Sequence, residues 1–258
     1  MKPAPARASF RFYAELNDHL PPQDRFRSLA KQFAVPGAVK DMIESFGVPH
    51  TEIDLIVANG RSVGFDYVVR DGDRIAVYPM FEALDVTPEL RLRPHPLRDP
   101  KFVLDVHLGR LAAYLRMLGF DAECRSSFSD AELVRISAGE RRILLTRDRG
   151  LLKHRAVTHG YWLRETAPPR QIAEILRRFD LARAIRPFTR CMACNGGLLP
   201  VLKEQVRDLL PPRTAASHAE FERCTQCGRV YWKGSHYTRM RRWIEELMAG
   251  AGNDETQH

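Results

Sequence analysis

The 258-residue sequence contains no hydrophobic run of the roughly 18 or more residues that a membrane-spanning helix needs. Its first eight residues carry two positive charges, but no apolar stretch follows them, so the pattern of a secretory signal peptide is missing. Cysteine is scarce, with five residues, and four of them form two C-x-x-C pairs, which in a reducing compartment indicates metal binding rather than disulfides. These absences predict a cytoplasmic protein without a membrane partner.

Acidic residues are outnumbered by basic ones, and the imbalance is concentrated in the middle of the chain. The formal net charge is +8, from 40 Lys and Arg against 32 Asp and Glu. Residues 89–188 hold 20 basic residues, mostly arginine, and 12 acidic ones. A basic surface attracts phosphate backbones by neutralising them and releasing counterions, but an arginine-rich surface also serves solubility. Charge alone therefore leaves nucleic-acid binding and solubility as alternatives.

Residues 9–85 have the pattern of a small α+β domain. Alternating apolar positions around Phe10 predict a first strand, and four apolar residues between 39 and 46 are spaced as on a helix that ends at Gly47. Three further strands are predicted at 53–58, 63–69 and 75–78, separated by the turn signals Asn59-Gly60 and Asp71-Gly72. The predicted order is therefore β-α-β-β-β.

The chain changes character after residue 85. Four prolines between residues 86 and 100 disfavour both helix and sheet, so this stretch is predicted to be a linker. From 101 to 188, short apolar runs alternate with helical patterns, and strands are predicted at 102–104, 120–124, 143–145 and 161–163. Strands that alternate with helices predict a parallel sheet covered by helices on both faces.

Three aspartates lie where these predicted strands end or where a helix begins. Asp105 directly follows the first apolar run, Asp148 follows the third, and Asp130 stands at a helix start after the second. The ligand site of an open parallel sheet lies at the carboxyl ends of its strands, and carboxylates are ligands that Mg²⁺ prefers. A bound ion can orient water and neutralise charge on a phosphate. Structural roles are the alternative: Ser129 or Asp130 as helix cap, Asp148 as a turn residue, Asp105 as a solvated strand end.

Residues 189–248 are predicted to form a metal-binding ribbon with a C-terminal helix. Two C-x-x-C turns, each followed closely by glycine, present four thiolates to one ion, namely Cys191, Cys194, Cys224 and Cys227. A site closed by four cysteines is structural, and zinc is favoured, although rubredoxin-like iron sites use similar spacing. Tyr231 and Trp232, with basic residues nearby, are predicted either to stack on RNA bases or to form the core of the ribbon.

The stretches Phe102 to Asp121, Arg142 to Leu152 and Cys224 to His236 together resemble the Mut-seven C-terminal ribonuclease family, a branch of PIN-like nucleases. The resemblance implies a PIN-like α/β/α fold and Mg²⁺- or Mn²⁺-dependent cleavage of RNA. It also implies catalytic roles for Asp105, Asp130 and Asp148, which match the acidic residues of the PIN pattern. A metal-dependent ribonuclease is therefore the first functional prediction.

One position departs from the PIN pattern. Many PIN nucleases carry a further aspartate two residues after the position that Asp148 matches, and here that position is Gly150. Asp121, Glu123 and Glu132 are carboxylates that would compensate for it. The departure puts a two-metal site in question and keeps a second interpretation open, an RNA- or ribosome-binding adapter with little or no catalytic activity.

The N-terminal segment resembles ubiquitin-like β-grasp domains, including the small sulfur carriers of thiamine and molybdopterin synthesis. Those carriers act through an activated C-terminal Gly-Gly, whereas the matching end here is Tyr78-Pro-Met-Phe-Glu82 and the chain continues. The resemblance therefore implies binding of a protein partner instead of carrier chemistry. The whole chain is predicted to be a β-grasp domain (9–85), a linker (86–100), a PIN-like domain (101–188) and a zinc ribbon (189–248).

Overall fold

The computed structural model of the chain describes residues 5–79 and 100–253. The chain divides into two compact units, one formed by Met1–Asp99 and Ser137–Trp162, the other by Pro100–Ile136 and Leu163–His258. Except for Pro100, the predicted linker lies outside the described residues, as does the end of the predicted β-grasp domain at 80–85. In the described ranges, no helix combines the length and the apolar character that crossing a bilayer demands.

The N-terminal part is a mixed five-stranded sheet with one helix. Its elements are β1 (Ala6–Phe12), β2 (Ser28–Phe33), α1 (Val39–Ser45), β3 (Ile53–Ala58), β4 (Arg61–Ser62) and β5 (Arg74–Pro79). The strand order is β2-β1-β5-β3-β4, in which β1 and β5 run parallel and the other neighbours antiparallel. Fully buried Phe10, Phe12 and Ile43 join the sheet to α1 in one core. This arrangement confirms the predicted β-grasp fold.

Two details of the strand prediction are wrong. The sequence pattern missed β2, an edge strand whose residues alternate between exposed and half-buried, so that it carries few of the apolar residues that mark a strand. The predicted strand at 63–69 is also wrong, because β4 ends at Ser62 and Val68 forms only an isolated bridge with Ala38. The predicted helix and the Asn59-Gly60 turn are confirmed, and both turn residues have positive φ.

The middle of the chain alternates strands and helices as predicted. Its elements are β6 (Lys101–Leu104), α2 (Gly109–Met117), β7 (Asp121–Glu123), α3 (Asp130–Glu140), β8 (Ile143–Thr146), α4 (Arg149–Leu152), β9 (Gly160–Trp162) and α5 (Pro168–Arg178). Strand β6 pairs in parallel with β7, and β8 pairs in parallel with β9. All four residues of β8 are buried, which explains its uninterrupted apolar sequence. The short helix α4 was not predicted.

The end of α2 is fixed by glycine and leads into the cysteine-containing part. Gly119 has a φ of +95°, and a Cβ there would collide with the carbonyl of Arg186. The backbone N–H of Arg186 donates to the carbonyl of Leu118 at 2.9 Å, and that of Phe188 donates to the carbonyl of Met117 at 3.0 Å. These bonds hold the segment before Cys191 against α2.

The C-terminal part contains β10 (Leu198–Val201), α6 (Lys203–Val206), α7 (Pro212–Ser217), β11 (Phe221–Cys224), β12 (Val230–Trp232) and α8 (Ser235–Asn253). The three strands form an antiparallel sheet in the order β10-β11-β12. Val206, Leu210 and Phe221 form a small core against which Trp232 packs. The predicted terminal helix is confirmed: its sequence pattern covers 237–248, and the structure extends it to Ser235–Asn253.

Candidate functional site

The four paired cysteines meet in one cluster. Their Sγ atoms all lie within 4.8 Å of one another. The Sγ of Cys191 is 3.6 Å from that of Cys227, and the Sγ of Cys194 is 3.4 Å from that of Cys224. The first pair lies in the turn before β10 and the second at the end of β11 and in the turn that follows. The structure thus brings together all four predicted metal ligands in a group that can hold one ion.

The turns that carry the cysteines depend on small residues and on N–H···S contacts. A Cβ on Gly196 would lie 2.8 Å from the Sγ of Cys224, so a larger residue there would displace the thiol. Gly228 has a φ of +71°, which completes the second turn. The backbone N–H groups of Gln226 and Cys227 point at the Sγ of Cys224 from 3.4 and 3.5 Å. Such donors favour the thiolate, the form that binds metal.

Tyr231 belongs to this cluster. Its hydroxyl lies 3.1 Å from the Sγ of Cys191. Burial raises the pKa of the Cys191 thiol, but hydrogen bonds, led by the one from Tyr231, outweigh burial and lower the pKa to about 6. The hydroxyl of Tyr231 is therefore engaged with a ligand sulfur, and Trp232 packs on the ribbon core. Both positions support the core interpretation of these aromatics over base stacking.

A buried arginine joins the first cysteine turn to β7. Arg116 of α2 is 5% exposed, and its Nε donates to the carbonyl of Ala122 at 2.8 Å. Its other nitrogens donate to the carbonyls of Met192 and Ala193, both at 3.1 Å, and of Cys124 at 3.4 Å. A buried guanidinium needs such acceptors on every side, and here peptide groups supply all four of them.

Asn195, directly after the first cysteine pair, bonds to the same strand. Its Nδ2 donates to the Oδ1 of Asp121 at 2.7 Å and to the Oε1 of Glu123 at 3.0 Å, and its Oδ1 accepts from the N–H of Ala122 at 3.0 Å. Arg190 also donates to Asp121, at 3.3 Å. Asp121 and Glu123 are thus engaged with the cysteine turn. Sequence reasoning missed Arg116 and Asn195, since their partners are distant along the chain.

Asp105 lies immediately after β6. Its side chain is 13% exposed, and its Oδ1 lies 3.1 Å from the Nδ1 of His107. The Asp105 carbonyl accepts from the N–H of Leu108 at 2.9 Å, which closes a 3₁₀ turn leading into α2. The strand end and the turn fix the backbone on both sides of this carboxylate. Asp105 therefore occupies the predicted place, at the carboxyl end of a parallel strand.

Asp130 is the first residue of α3 and is exposed. The cap of this helix is formed by its neighbours, because Ser129 donates to the Oε2 of Glu132 through both its N–H and its hydroxyl, at 2.9 Å each. The N–H of Glu132 in turn lies 3.4 Å from the Ser129 hydroxyl oxygen, which completes a capping box. Asp130 is therefore not the cap, and Glu132 is engaged in capping.

Asp148 caps the short helix α4. Its Oδ1 accepts from the N–H of Gly150 at 2.7 Å, and its own N–H donates to the hydroxyl of Thr146 at 2.9 Å. A Cβ at position 150 would lie 3.1 Å from the same Oδ1, tighter than an ordinary contact. Glycine at this position thus fits the cap. Asp105 and Asp130 belong to one compact unit and Asp148 to the other.

The fold and the cysteine cluster together define a class: a ubiquitin-like domain, followed by a parallel α/β domain that continues into a ribbon with four clustered cysteines. Residues 100–244 match the Mut7-C RNAse domain, and residues 5–85 match the Mut7-C ubiquitin domain. The first match spans more than half of the chain, and the chain belongs to the Mut7-C RNAse domain family. No curated protein and no solved structure matches it. The predicted family and fold class are confirmed, and a nuclease-type domain is established.

Proposed function

We propose that this chain is a metal-dependent ribonuclease that hydrolyses phosphodiester bonds of RNA. The observation that carries the proposal is the position of Asp105 at the carboxyl end of a parallel strand, within a domain of the Mut7-C RNAse family. Its carboxylate is largely buried and lies beside His107, so its orientation is restricted before any ligand binds. A preorganised carboxylate is the kind of ligand that a hard divalent ion requires.

In this proposal Asp105, Asp130 and Asp148 hold a Mg²⁺ or Mn²⁺ ion. When bound there, such an ion would supply an activated water and would offset the negative charge that develops on the phosphate. His107 restricts the orientation of the Asp105 carboxylate, and the N–H of Gly150 restricts that of Asp148. Arg110, in the first turn of α2, is exposed and five residues beyond Asp105, where it can bind a phosphate of the substrate.

The cysteine cluster is proposed to hold a structural Zn²⁺ ion through Cys191, Cys194, Cys224 and Cys227. Four sulfur donors close the coordination shell, so this ion takes no part in the reaction. Its function is to fix the turn that carries Asn195 against β7. The domain limits predicted from the sequence, the cytoplasmic location and a protein partner for the ubiquitin-like domain are part of the same proposal.

A second function, an RNA- or ribosome-binding adapter with little activity, is favoured by one specific observation. Asp148 already serves as the cap of α4 through the N–H of Gly150, and the residue at 150 offers no carboxylate. A capping aspartate has a structural reason to be present without a metal ion. The adapter binds RNA with the same basic surface but does not cleave it.

The test is a cleavage assay on labelled single-stranded and structured RNA, with and without added Mg²⁺ or Mn²⁺. The wild type is compared with Asp105→Asn and Asp148→Asn, and with Asp208→Asn as a matched control, because Asp208 is exposed and lies in the ribbon. The ribonuclease predicts ion-dependent cleavage that falls on the order of 100-fold in the first two variants and is unchanged in the control. RNA binding without cleavage by any protein supports the adapter.

A further inference from the structure

A groove lies between α2 and α8, and Met192 of the first cysteine turn also lines it. Its volume is about 390 Å³. Tyr114 and Trp243 line it from the two helices, with the methionines Met192 and Met240 and the arginines Arg110 and Arg239 around them. The volume is at the lower end of the range for small-molecule sites, about 300–1,000 Å³, which suits a nucleotide-sized group better than a folded element.

The walls of the groove suit a flat, polarizable ligand. The rings of Tyr114 and Trp243 lie 4.9 Å apart at a tilt of 54°, and both residues are only partly buried. Such rings provide the stacking surface on which proteins bind unpaired bases without sequence preference. The two methionines add flexible side chains that adapt to different bases.

The charge of the groove favours phosphate. Among its described lining residues none is acidic, and Arg110 makes no ion pair within the described part of the chain. Arg239 donates to the Nδ1 of His236 at 2.9 Å, and among the described residues it has no carboxylate partner either. The carboxylates of α8 are engaged away from the groove, since Glu245 pairs with Arg241 and Glu246 with Arg242. Two arginines are left to face a ligand.

The groove begins close to the proposed catalytic carboxylate. Arg110 follows Asp105 by five residues, through a 3₁₀ turn into the first turn of α2. At the rise of these helices the two residues are separated by about 8–10 Å along the chain. A strand of nucleic acid held on Arg110 is therefore within reach of Asp105.

We propose that the α2–α8 groove (Arg110, Tyr114, Met192, Arg239, Met240 and Trp243) binds a single-stranded segment of RNA next to the scissile phosphate. A base stacks on Tyr114 and Trp243, and the flanking phosphates bind Arg110 and Arg239. The identity of the ligand rests on the proposed function, because the same rings and charges bind single-stranded DNA. A protein partner is less favoured, since the groove is small and cationic.

The test measures binding apart from cleavage. Full-length Asp105→Asn protein is titrated with fluorescently labelled single-stranded RNA, single-stranded DNA and double-stranded RNA in buffer without divalent ions. Trp243→Leu and Arg239→Gln are introduced in this background. Arg242→Gln is the matched control, because Arg242 is also an exposed arginine of α8 but does not line the groove. Zinc content and circular dichroism establish that each variant is folded.

Trp243→Leu is expected to weaken single-stranded RNA binding by about 5- to 150-fold, the effect of losing one stacked base. Arg239→Gln is expected to weaken it several-fold and to lower the slope of log Kd against log salt by about 0.7, one phosphate contact on a single strand. Arg242→Gln is expected to bind like its parent. Quenching of tryptophan fluorescence by RNA should disappear in Trp243→Leu, although two other tryptophans remain.

Equal Kd values for all folded variants, or equal binding of double-stranded and single-stranded RNA, would overturn the proposal. Equal binding of RNA and DNA would retain the groove but make it a site for either nucleic acid. The ribonuclease proposal can fail separately. If the wild type binds RNA through the groove but does not cleave it, the groove proposal stands and the ribonuclease proposal is wrong. If Trp243→Leu shows ion-dependent cleavage with an unchanged KM, the groove proposal is wrong and the ribonuclease proposal stands.

Discussion

Two polar junctions attach the outer parts of the chain to the α/β part, and they use different chemistry. In the first, His19 and Glu52 of the ubiquitin-like domain lie 2.9 Å apart with no exposed side-chain surface, and Glu52 accepts from the N–H of Trp162 in β9 at 2.7 Å. In the second, Arg116 and Asn195 bond β7 to the first cysteine turn. The first consists of a buried acid and base, and the second of peptide and amide contacts to the turn that carries two of the clustered cysteines.

The histidine–glutamate junction (His19, Glu52 and Trp162) continues to the neighbourhood of Asp148. Arg149 donates to the carbonyl of His19 at 3.0 Å, and its guanidinium lies 4.3 Å from the centre of the Trp162 ring. Lys153 donates to the carbonyl of Glu44 at 2.9 Å. The guanidinium of Arg149 is therefore engaged with the ubiquitin-like domain and with Trp162. The ubiquitin-like domain therefore contacts α4, the helix that Asp148 caps, through Arg149 and Lys153.

We call the contacts of Arg116 and Asn195 between β7 and the first cysteine turn the arginine–asparagine junction. The largest expected effect is the disruption of this junction when the cysteine cluster can no longer bind a metal ion. Cys224→Ser should abolish stoichiometric zinc binding and unfold the ribbon, because structural zinc sites contribute about 10–16 kcal/mol of apparent binding free energy. Hydrogen exchange should accelerate in 190–232 and in β7, while β1 and β5 keep their protection.

The control for this variant is Cys124→Ser, since Cys124 is the one cysteine outside the cluster. It should retain one zinc ion and wild-type exchange. If β7 keeps its protection in Cys224→Ser, the junction does not depend on the metal and the contrast between the two junctions fails.

The next effect is expected at the buried arginine. Arg116→Met keeps an unbranched side chain, but the chain is shorter and leaves four peptide carbonyls without their donor. We expect a loss of about 3–5 kcal/mol in the free energy of unfolding, as for other broken buried charge contacts. Zinc affinity should fall about 10- to 100-fold, since the arginine orients the turn that carries two ligands.

Denaturant titration and competition with a zinc chelator measure these two changes. Arg183→Met is the control, because Arg183 is exposed and its side chain makes no contact among those described. An Arg116→Met protein with unchanged zinc affinity would separate the stability of the turn from metal binding.

At the histidine–glutamate junction we also expect a loss in the free energy of unfolding from a broken buried contact. Zinc binding should not change there. Glu52→Gln keeps the size of the side chain and removes its charge, so His19 loses a charged partner in a fully buried place. The expected cost is about 3 kcal/mol. His19→Gln should cost much less in the Glu52→Gln protein than in the wild type, because the two residues form one interaction.

A double-mutant cycle by urea unfolding gives this coupling, and zinc content should stay at the wild-type value throughout. Asp41→Asn, an exposed change on α1 of the same domain, is the control. Additive effects of the two substitutions would mean that His19 and Glu52 act independently, contrary to their 2.9 Å contact.

The two junctions also show which features could be predicted from the sequence and which could not. The strands β6 and β8 and the four cysteines were found because their signals are local: an uninterrupted apolar run and a fixed spacing. The end of α2 has a local signal of the same kind, a glycine directly after the helix, and Gly119 has a positive φ. The family resemblance rested on these same stretches.

Arg116 shows why the rest was out of reach. On a helix an arginine is ordinarily read as a solvent-facing residue, and its carbonyl partners Met192 and Ala193 lie 76 and 77 residues further along the chain. The groove residues Tyr114 and Trp243 are separated more widely still. Strand β2 was missed because only half of its residues are even partly buried. Arg116, the groove and β2 all depend on contacts between distant segments, and such contacts produce no periodic pattern in the sequence.

The smallest expected effect is on the pH dependence of a second acid–base contact of the ubiquitin-like domain, the one between Glu44 and His50. Glu44, whose carbonyl accepts from Lys153, has its Oε1 2.6 Å from the Nδ1 of His50, and His50 donates through Nε2 to the carbonyl of Val157 at 2.9 Å. Burial acts to raise the pKa of Glu44, but the contacts with His50 outweigh it and the pKa is lowered.

A lowered carboxyl pKa contributes stability that is fully present above the ordinary value of the group and is lost as the pH falls through the folded value. The ubiquitin-like domain should therefore lose stability on the acid side, below about pH 4.5. Glu44→Gln should be less stable than the wild type at pH 7 and should approach it at pH 3. Asp41→Asn serves again as the exposed control. Urea midpoints that differ by the same amount at both pH values would show that the charge of the Glu44 carboxylate contributes nothing to the stability of the domain.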